Sequence, residues 1–436
     1  MEHPLVIMAI VLGTVLALLC TGIWVGGAVA LVGIILLTFF VGGGKISMVG
    51  PLQFNMLNAF TYTCIPLFIF MGELVMHSRM GEKLYRGANN WVGFLPGGLL
   101  HTNIASCAFF AAISGTSMAT AATIGMVAIP EMEKRGYDRK LVLGSLAAGG
   151  TLGILIPPSA AMIVYGAFVG ESIGQLFIAG ILPGLTMAGF FMAYIGIMSA
   201  IRPQIVPPRG TISLKAMLLS IWDILPLVVL IFLVLGTIYL GLATPTEAAA
   251  LGVMGAMMFS AIYRRLNWRV LKAATLSTVK VTCWMMFIVI GAYVLSMGLS
   301  FLRVPSNLVI WITSFEISRG YVFIVICLLY IVLGCFIDGL SMILLTLPVV
   351  YPVMMALGFD SVWFGIILVI VQEMGQITPP VGLNLFVIHG ISGGKHFKDI
   401  VIGSFPFFVI MNAMVVILYF FPDLALWLPS KMFSSF

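Results

Sequence analysis

Long apolar runs fill the chain, and two kinds of polar break interrupt them. Runs near 4–22, 23–42, 59–77, 173–201, 222–242, 245–263, 279–302 and 400–421 are nearly free of charge. Each has about the 20 residues a helix needs to cross a bilayer, so they are read as eight ordinary spans. Four further apolar regions are broken. Those at 95–130 and 319–357, each about twice a half-membrane helix, contain a short polar turn and are expected to be re-entrant hairpins. Those at 139–170 and 361–392 contain a Pro-Pro pair and are expected to be crossing helices unwound at mid-membrane. Mixed stretches at 46–58, 81–93, 264–278 and 305–318 are expected to lie along the interface.

The breaks are duplicated. Ser114-Gly115-Thr116-Ser117-Met118, then Gly136-Tyr137-Asp138, then Gly153 to Pro157-Pro158 form the first set. Asp338-Gly339-Leu340-Ser341-Met342, then Gly358-Phe359-Asp360, then Gly375 to Pro379-Pro380 form the second, offset by 224 at the first element and 222 at the other two. The chain therefore divides into a first repeat over 1–202 (spans 4–77, hairpin 95–130, broken helix 139–170), a linker at 203–221, and a second repeat over 222–436 (spans 222–302, hairpin 319–357, broken helix 361–392). Five crossings per half is an odd number, which inverts one half relative to the other. Gly/Pro-broken segments at matching places in two halves mark the binding site of a secondary transporter.

Composition agrees with a chain that works in the bilayer. Of the 436 residues 61% are hydrophobic and 8% charged, against about a quarter charged in soluble domains. The net charge of +6 reads as topology and not as nucleic-acid binding. With the N-terminus outside, all but four of the 21 Lys and Arg residues fall in loops assigned to the cytoplasm, Arg209 and Lys395 among them; the exceptions are Lys45, Arg303, Arg319 and Lys431. The run from Pro4 to Cys20 follows Met1-Glu2-His3, without a basic n-region, and is read as a retained span. The six cysteines form no C-x-x-C pair and read as small core hydrophobes.

A proline in a helix frees the carbonyl four residues earlier. Pro157 and Pro158 free those of Gly153 and Ile154; Pro379 and Pro380 free those of Gly375 and Gln376. In hydrocarbon such oxygens need a replacement donor, and a hard cation is an economical one. The hairpin turns add the hydroxyls of Ser114, Thr116 and Ser117 in one half, and Asp338 with Ser341 in the other, with Thr378 beside the second break. Two quasi-equivalent oxygen sites of this kind suit sodium ions. Glu73, Asp223, Glu247 and Glu373 also lie in or at the ends of apolar segments, where a carboxylate suggests function. Glu247 follows Thr244-Pro245-Thr246 and is expected to cap its span. Ser117, Arg303 and Asn384 are candidate substrate contacts, Arg303 as counter-charge to an anion. No phosphate-binding loop, His-Glu-x-x-His or Gly-x-Ser-x-Gly pattern is present, so no enzyme is expected.

Ser114-Gly115-Thr116-Ser117, Gly153 to Ser159, Thr244 to Ala250 and Thr378 to Phe386 together resemble the large membrane subunit of tripartite ATP-independent periplasmic (TRAP) transporters, over essentially the whole chain. The resemblance implies an all-α polytopic membrane protein, an inverted-repeat elevator-type transporter with about 10 or 11 spans in a bacterial inner membrane. It implies import of an organic anion, of the sialic acid or C4-dicarboxylate type, coupled to two or more sodium ions. It also implies a periplasmic binding protein and a small four-helix membrane subunit; no four-span block precedes Pro4, so that subunit is expected as a separate chain. The implied sodium ligands are Ser114, Thr116, Gly153, Ile156 and Pro158 in one site and Asp338, Gly375 and Thr378 in the other, to which Ser341 of the turn and Pro380 of the break are assigned as well. A stand-alone sodium/anion symporter of similar design is the alternative, and an ion channel the alternative from another class.

Overall fold

The computed structural model describes residues 4–207, 214–314, 317–394 and 397–433. Regular structure among them is helical throughout. In the first half the helices are α1 (Pro4–Cys20), α2 (Val25–Ile35, widening into a looser turn to Phe40), α3 (Val49–Leu57), α4 (Cys64–His77) and α5 (Met80–Val92). The first hairpin is α6 (Leu99–Ser114) and α7 (Ser117–Lys134); the first broken helix is α8 (Arg139–Leu155) and α9 (Ala160–Val169); α10 (Ile173–Ile201) closes the half.

The series then recurs. It runs α11 (Leu214–Ile231) with its short tail α12 (Thr237–Tyr239), α13 (Pro245–Ile262), α14 (Trp268–Phe301) and α15 (Val304–Ser314). The second hairpin is α16 (Arg319–Gly334) and α17 (Gly339–Ala356), the second broken helix α18 (Ser361–Gln376) and α19 (Leu383–Ile391), and α20 (Phe397–Phe420) is followed by α21 (Asp423–Phe433). The fold is an all-helical inverted repeat with two hairpins and two broken helices.

The Gly-x-Asp element of the duplicated motif has a local cause. Gly136 and Gly358 stop the hairpins in left-handed conformation (φ 75° and 77°), which costs glycine nothing. Two residues on, Asp138 and Asp360 start the broken helices by accepting from the amides of Leu141 and Trp363, at 2.9 and 2.8 Å. Both Pro-Pro peptide bonds are cis. Glu247 closes a capping box with Thr244 at the start of α13.

Four features depart from the sequence reading. The stretch at 264–278 is not a separate interfacial element: from Trp268 it is the start of α14, which runs unbroken for 34 residues because no glycine or proline interrupts it before Gly291. Its counterpart at 46–58 is the short α3, which ends before Asn58 and does not run on into α4, so there the halves differ. α11 begins at Leu214, inside the stretch read as a linker, because Leu214 to Leu219 are good helix formers. The hairpin arms have 16 to 18 residues, longer than half-membrane helices. α21, packed on α10, was not anticipated. Arg209, Lys395 and residues 315–316 of the fourth interfacial stretch lie outside the described residues.

Glycine lets the helices meet at backbone distance, the usual device where lipid gives no hydrophobic drive between helices. A methyl group added at Gly33 of α2 would lie 2.6 Å from the Leu295 nitrogen of α14, and one at Gly375 of α18 would lie 2.6 Å from the Gly334 Cα of α16. The broken helices also cross between repeats: α9 packs on α17 and α18, and α19 on α7 and α8.

Candidate functional site

The two hairpin turns meet around one cavity of about 390 Å³. Residues 114–119 form one side and 338–340 another, while α4 and α14 supply a wall that includes Gly72, Glu73, Met76, Trp284 and Met285. Gly72 brings that wall against the first turn: a methyl group there would lie 3.1 Å from the Ser114 Cα.

The first turn is tied to the first break. The Ser114 and Thr120 hydroxyls are 2.7 Å apart, and Thr120 donates to the Thr116 carbonyl at 2.9 Å. The Ala160 amide, just past the Pro-Pro pair, donates to the Gly115 carbonyl at 3.4 Å. A methyl group at Gly153 would lie 2.5 Å from the Thr116 carbonyl oxygen, and one at Gly115 would lie 3.1 Å from that of Pro158. Ser114, Thr116, Gly153 and Pro158 are therefore together. The Ile156 side chain packs instead towards Gly184 of α10.

The second turn repeats this design with a carboxylate. Asp338 accepts from the Ser341 amide at 3.0 Å and caps α17, with the Ser341 side chain fully buried beside it. The Cys335 carbonyl accepts from the amides of Val381 and Gly382 beyond the second break, at 3.2 and 3.4 Å. Thr378 donates back to the Met374 carbonyl at 2.6 Å. The breaks differ in exposure, since Pro157 and Pro158 are buried whereas Pro379 and Pro380 are exposed. Each turn offers oxygen donors alone, the set a small hard cation takes.

The substrate candidates separate. Ser117 lines the cavity and donates to the Gln376 amide oxygen at 3.3 Å. Asn384 is fully buried against Gly150 of the other repeat, with both amide atoms unpartnered. Arg303 is exposed at the turn between α14 and α15 and does not line the cavity, so the counter-charge role expected of it is not met in this conformation. The charged residues that do line it are Glu73 and Asp338. Glu73 accepts from Ser277 of α14 at 2.7 Å and pairs with His77 at 3.4 Å. Sequence reasoning missed Thr120, the Gln376 side chain and Trp284; only Thr120, one helical turn beyond Thr116, left a signal in the spacing.

Residues 12–424 match the family model of the tripartite ATP-independent periplasmic transporter, DctM component. The chain is 35% identical to the C4-dicarboxylate TRAP transporter large permease protein DctM of Pseudomonas aeruginosa, over 85% of this chain and 86% of that one. It is 31% identical to the ectoine TRAP transporter large permease protein TeaC of Halomonas elongata, over 84% and 85%. Among solved structures, the Alcanivorax borkumensis YdaH transporter has a TM-score of 0.63 at 14% identity, covering 91% of this chain and 90% of that one, a likeness of fold alone.

Proposed function

The chain belongs to the tripartite ATP-independent periplasmic transporter family as a DctM component, a transport subunit and not an enzyme, and from that membership we propose a sodium-coupled importer of an organic carboxylate. The substrate is of the C4-dicarboxylate or sialic acid type. It is delivered by a periplasmic binding protein to a complex of this chain with a small four-helix subunit in the bacterial inner membrane. Transport proceeds by an elevator motion in which the hairpins and broken helices move against α4 and α14.

The observation that carries this reading is the meeting of two oxygen-lined turns in one cavity, each packed against a helix break. One sodium is held by Ser114, Thr116, Gly153, Ile156 and Pro158, the other by Asp338, Ser341, Gly375, Thr378 and Pro380. Ser117 and Asn384 are left for the substrate. Among the described residues no Lys or Arg lines the cavity, so the ions themselves supply the positive charge that a carboxylate needs.

Proteoliposomes holding this chain and its small subunit provide the test. With binding protein and an inward sodium gradient they should accumulate the carboxylate, and with potassium they should not. Accumulation without binding protein would favour the stand-alone symporter, and accumulation in potassium would overturn sodium coupling.

A further inference from the structure

Positions 372, 373 and 376 of α18 are Gln, Glu and Gln, whereas the positions 222 earlier on α8 are Gly150, Thr151 and Ile154. The duplicated plan therefore does not account for this polar group. Gln372 and Glu373 are fully buried and Gln376 nearly so. Glu373 Oε1 accepts from the amides of Gln376 and Gln372, at 3.1 and 3.4 Å. Gln376 in turn accepts from the Ser117 hydroxyl of the first hairpin. At the other end, Gln372 packs on Gly339 of the second turn, where a methyl group would lie 2.6 Å from its amide nitrogen. Among the described residues Glu373 makes no ion pair. A carboxylate buried this way in a membrane protein is costly to hold and marks function.

We infer that Glu373 is a positioning residue that couples the two ion sites. The inference rests on the sodium reading above. With Glu373 Oε1 accepting from both, the two glutamines turn their N–H groups towards it and their carbonyl oxygens away. The Gln376 carbonyl is thereby aimed at Ser117 and accepts a hydrogen bond from its hydroxyl, which fixes the Ser117 lone pairs beside the first site. Gly375 and Asp338, which hold the second ion, adjoin Gln376 and Gly339 at the two ends of the chain. An ion there orders both ends and prepares the first site, and by linkage the first ion favours the second.

Sodium itself is the probe. The tryptophan fluorescence of the complex of this chain with its small subunit, to which Trp284 of the cavity wall contributes, is followed at constant temperature as sodium chloride replaces choline chloride at constant ionic strength. The native complex should titrate with a Hill coefficient of about 2. Glu373→Gln, which can donate as well as accept, and Gln376→Leu should each lower it towards about 1 and raise the half-saturating sodium about fivefold. A merely structural role would lower the thermal unfolding midpoint, measured separately, without changing the steepness of the sodium titration. Steepness retained in either variant overturns the inference, and if Glu373→Gln does not fold, Gln376→Leu decides. A native Hill coefficient of 1 overturns the coupling but leaves sodium binding intact; no sodium response at all overturns the sodium reading itself.

Discussion

Arg79 and Arg303 hold the same backbone conformation at the same point of the two repeats. Each is left-handed, with φ of 60° and 54°, and each lies between a wall helix, α4 or α14, and the short helix leading to a hairpin. Side chains other than glycine rarely adopt this conformation, and a β-branched one least of all. Arg79→Val and Arg303→Val should therefore each destabilise the protein by about 1–2 kcal/mol, while the glycine variants stay close to native. Thermal unfolding in detergent measures the difference; valine and glycine variants of equal stability would show that the conformation is not retained.

A side chain at either helix-break glycine should disrupt transport. Gly153→Ala puts its methyl group against the Thr116 carbonyl, and Gly375→Ala against the Gly334 backbone, neither of which is a flexible side-chain end. Overpacking of this kind costs about 1–3 kcal/mol. Sodium-driven uptake should fall severely in both, and Gly390→Ala, where nothing lies within 4 Å, should retain it.

Asp338→Asn tests the charge of the second turn separately from its shape. Asparagine still accepts from the Ser341 amide, so the cap on α17 survives. The lost attraction at an effective dielectric near 20 approaches several kcal/mol before solvation offsets it, so the half-saturating sodium concentration for uptake should rise at least about tenfold. Ser114→Ala, which removes only a dipole, should be milder. An unchanged sodium dependence in Asp338→Asn would reduce Asp338 to a helix cap.

Single cysteines at Gly136 and Gly358 should label from opposite sides of the membrane. Both positions have nothing within 4 Å, and the inverted repeat places the two turns on opposite faces. A membrane-impermeant maleimide applied to intact cells and to inverted vesicles should reach one position each. Labelling of both from the same side would contradict the inversion.

The parts legible in the sequence are those written by backbone chemistry. Pro157-Pro158 and Pro379-Pro380 break helices wherever they stand, and Gly136-Tyr137-Asp138 stops one helix and starts the next without help from the rest of the fold. The donation of Ser117 to Gln376 and the placement of Glu73 in the cavity wall left no such trace, because both depend on which helices become neighbours. Arg303 misled for the same reason: an arginine closing an apolar run carries no information about the direction in which the turn aims it. The unbroken α14 was hidden by its basic residues, which resemble those of an interfacial helix.

That helix also serves as a depth gauge. Arg269, Lys272 and Lys280 occupy its first part, and Val281, Trp284 and Met285 of the cavity wall follow at once, leaving roughly 24 Å of helix between Met285 and Phe301 at 1.5 Å per residue. On α4 the cavity reaches Met76, three residues before Arg79. By both measures the chamber lies about a helical turn from the basic end of its wall, and on α14 the longer apolar stretch lies on its other side. Anything bound there would have its shorter way out towards the basic ends of α4 and α14, with the longer apolar part of α14 behind it.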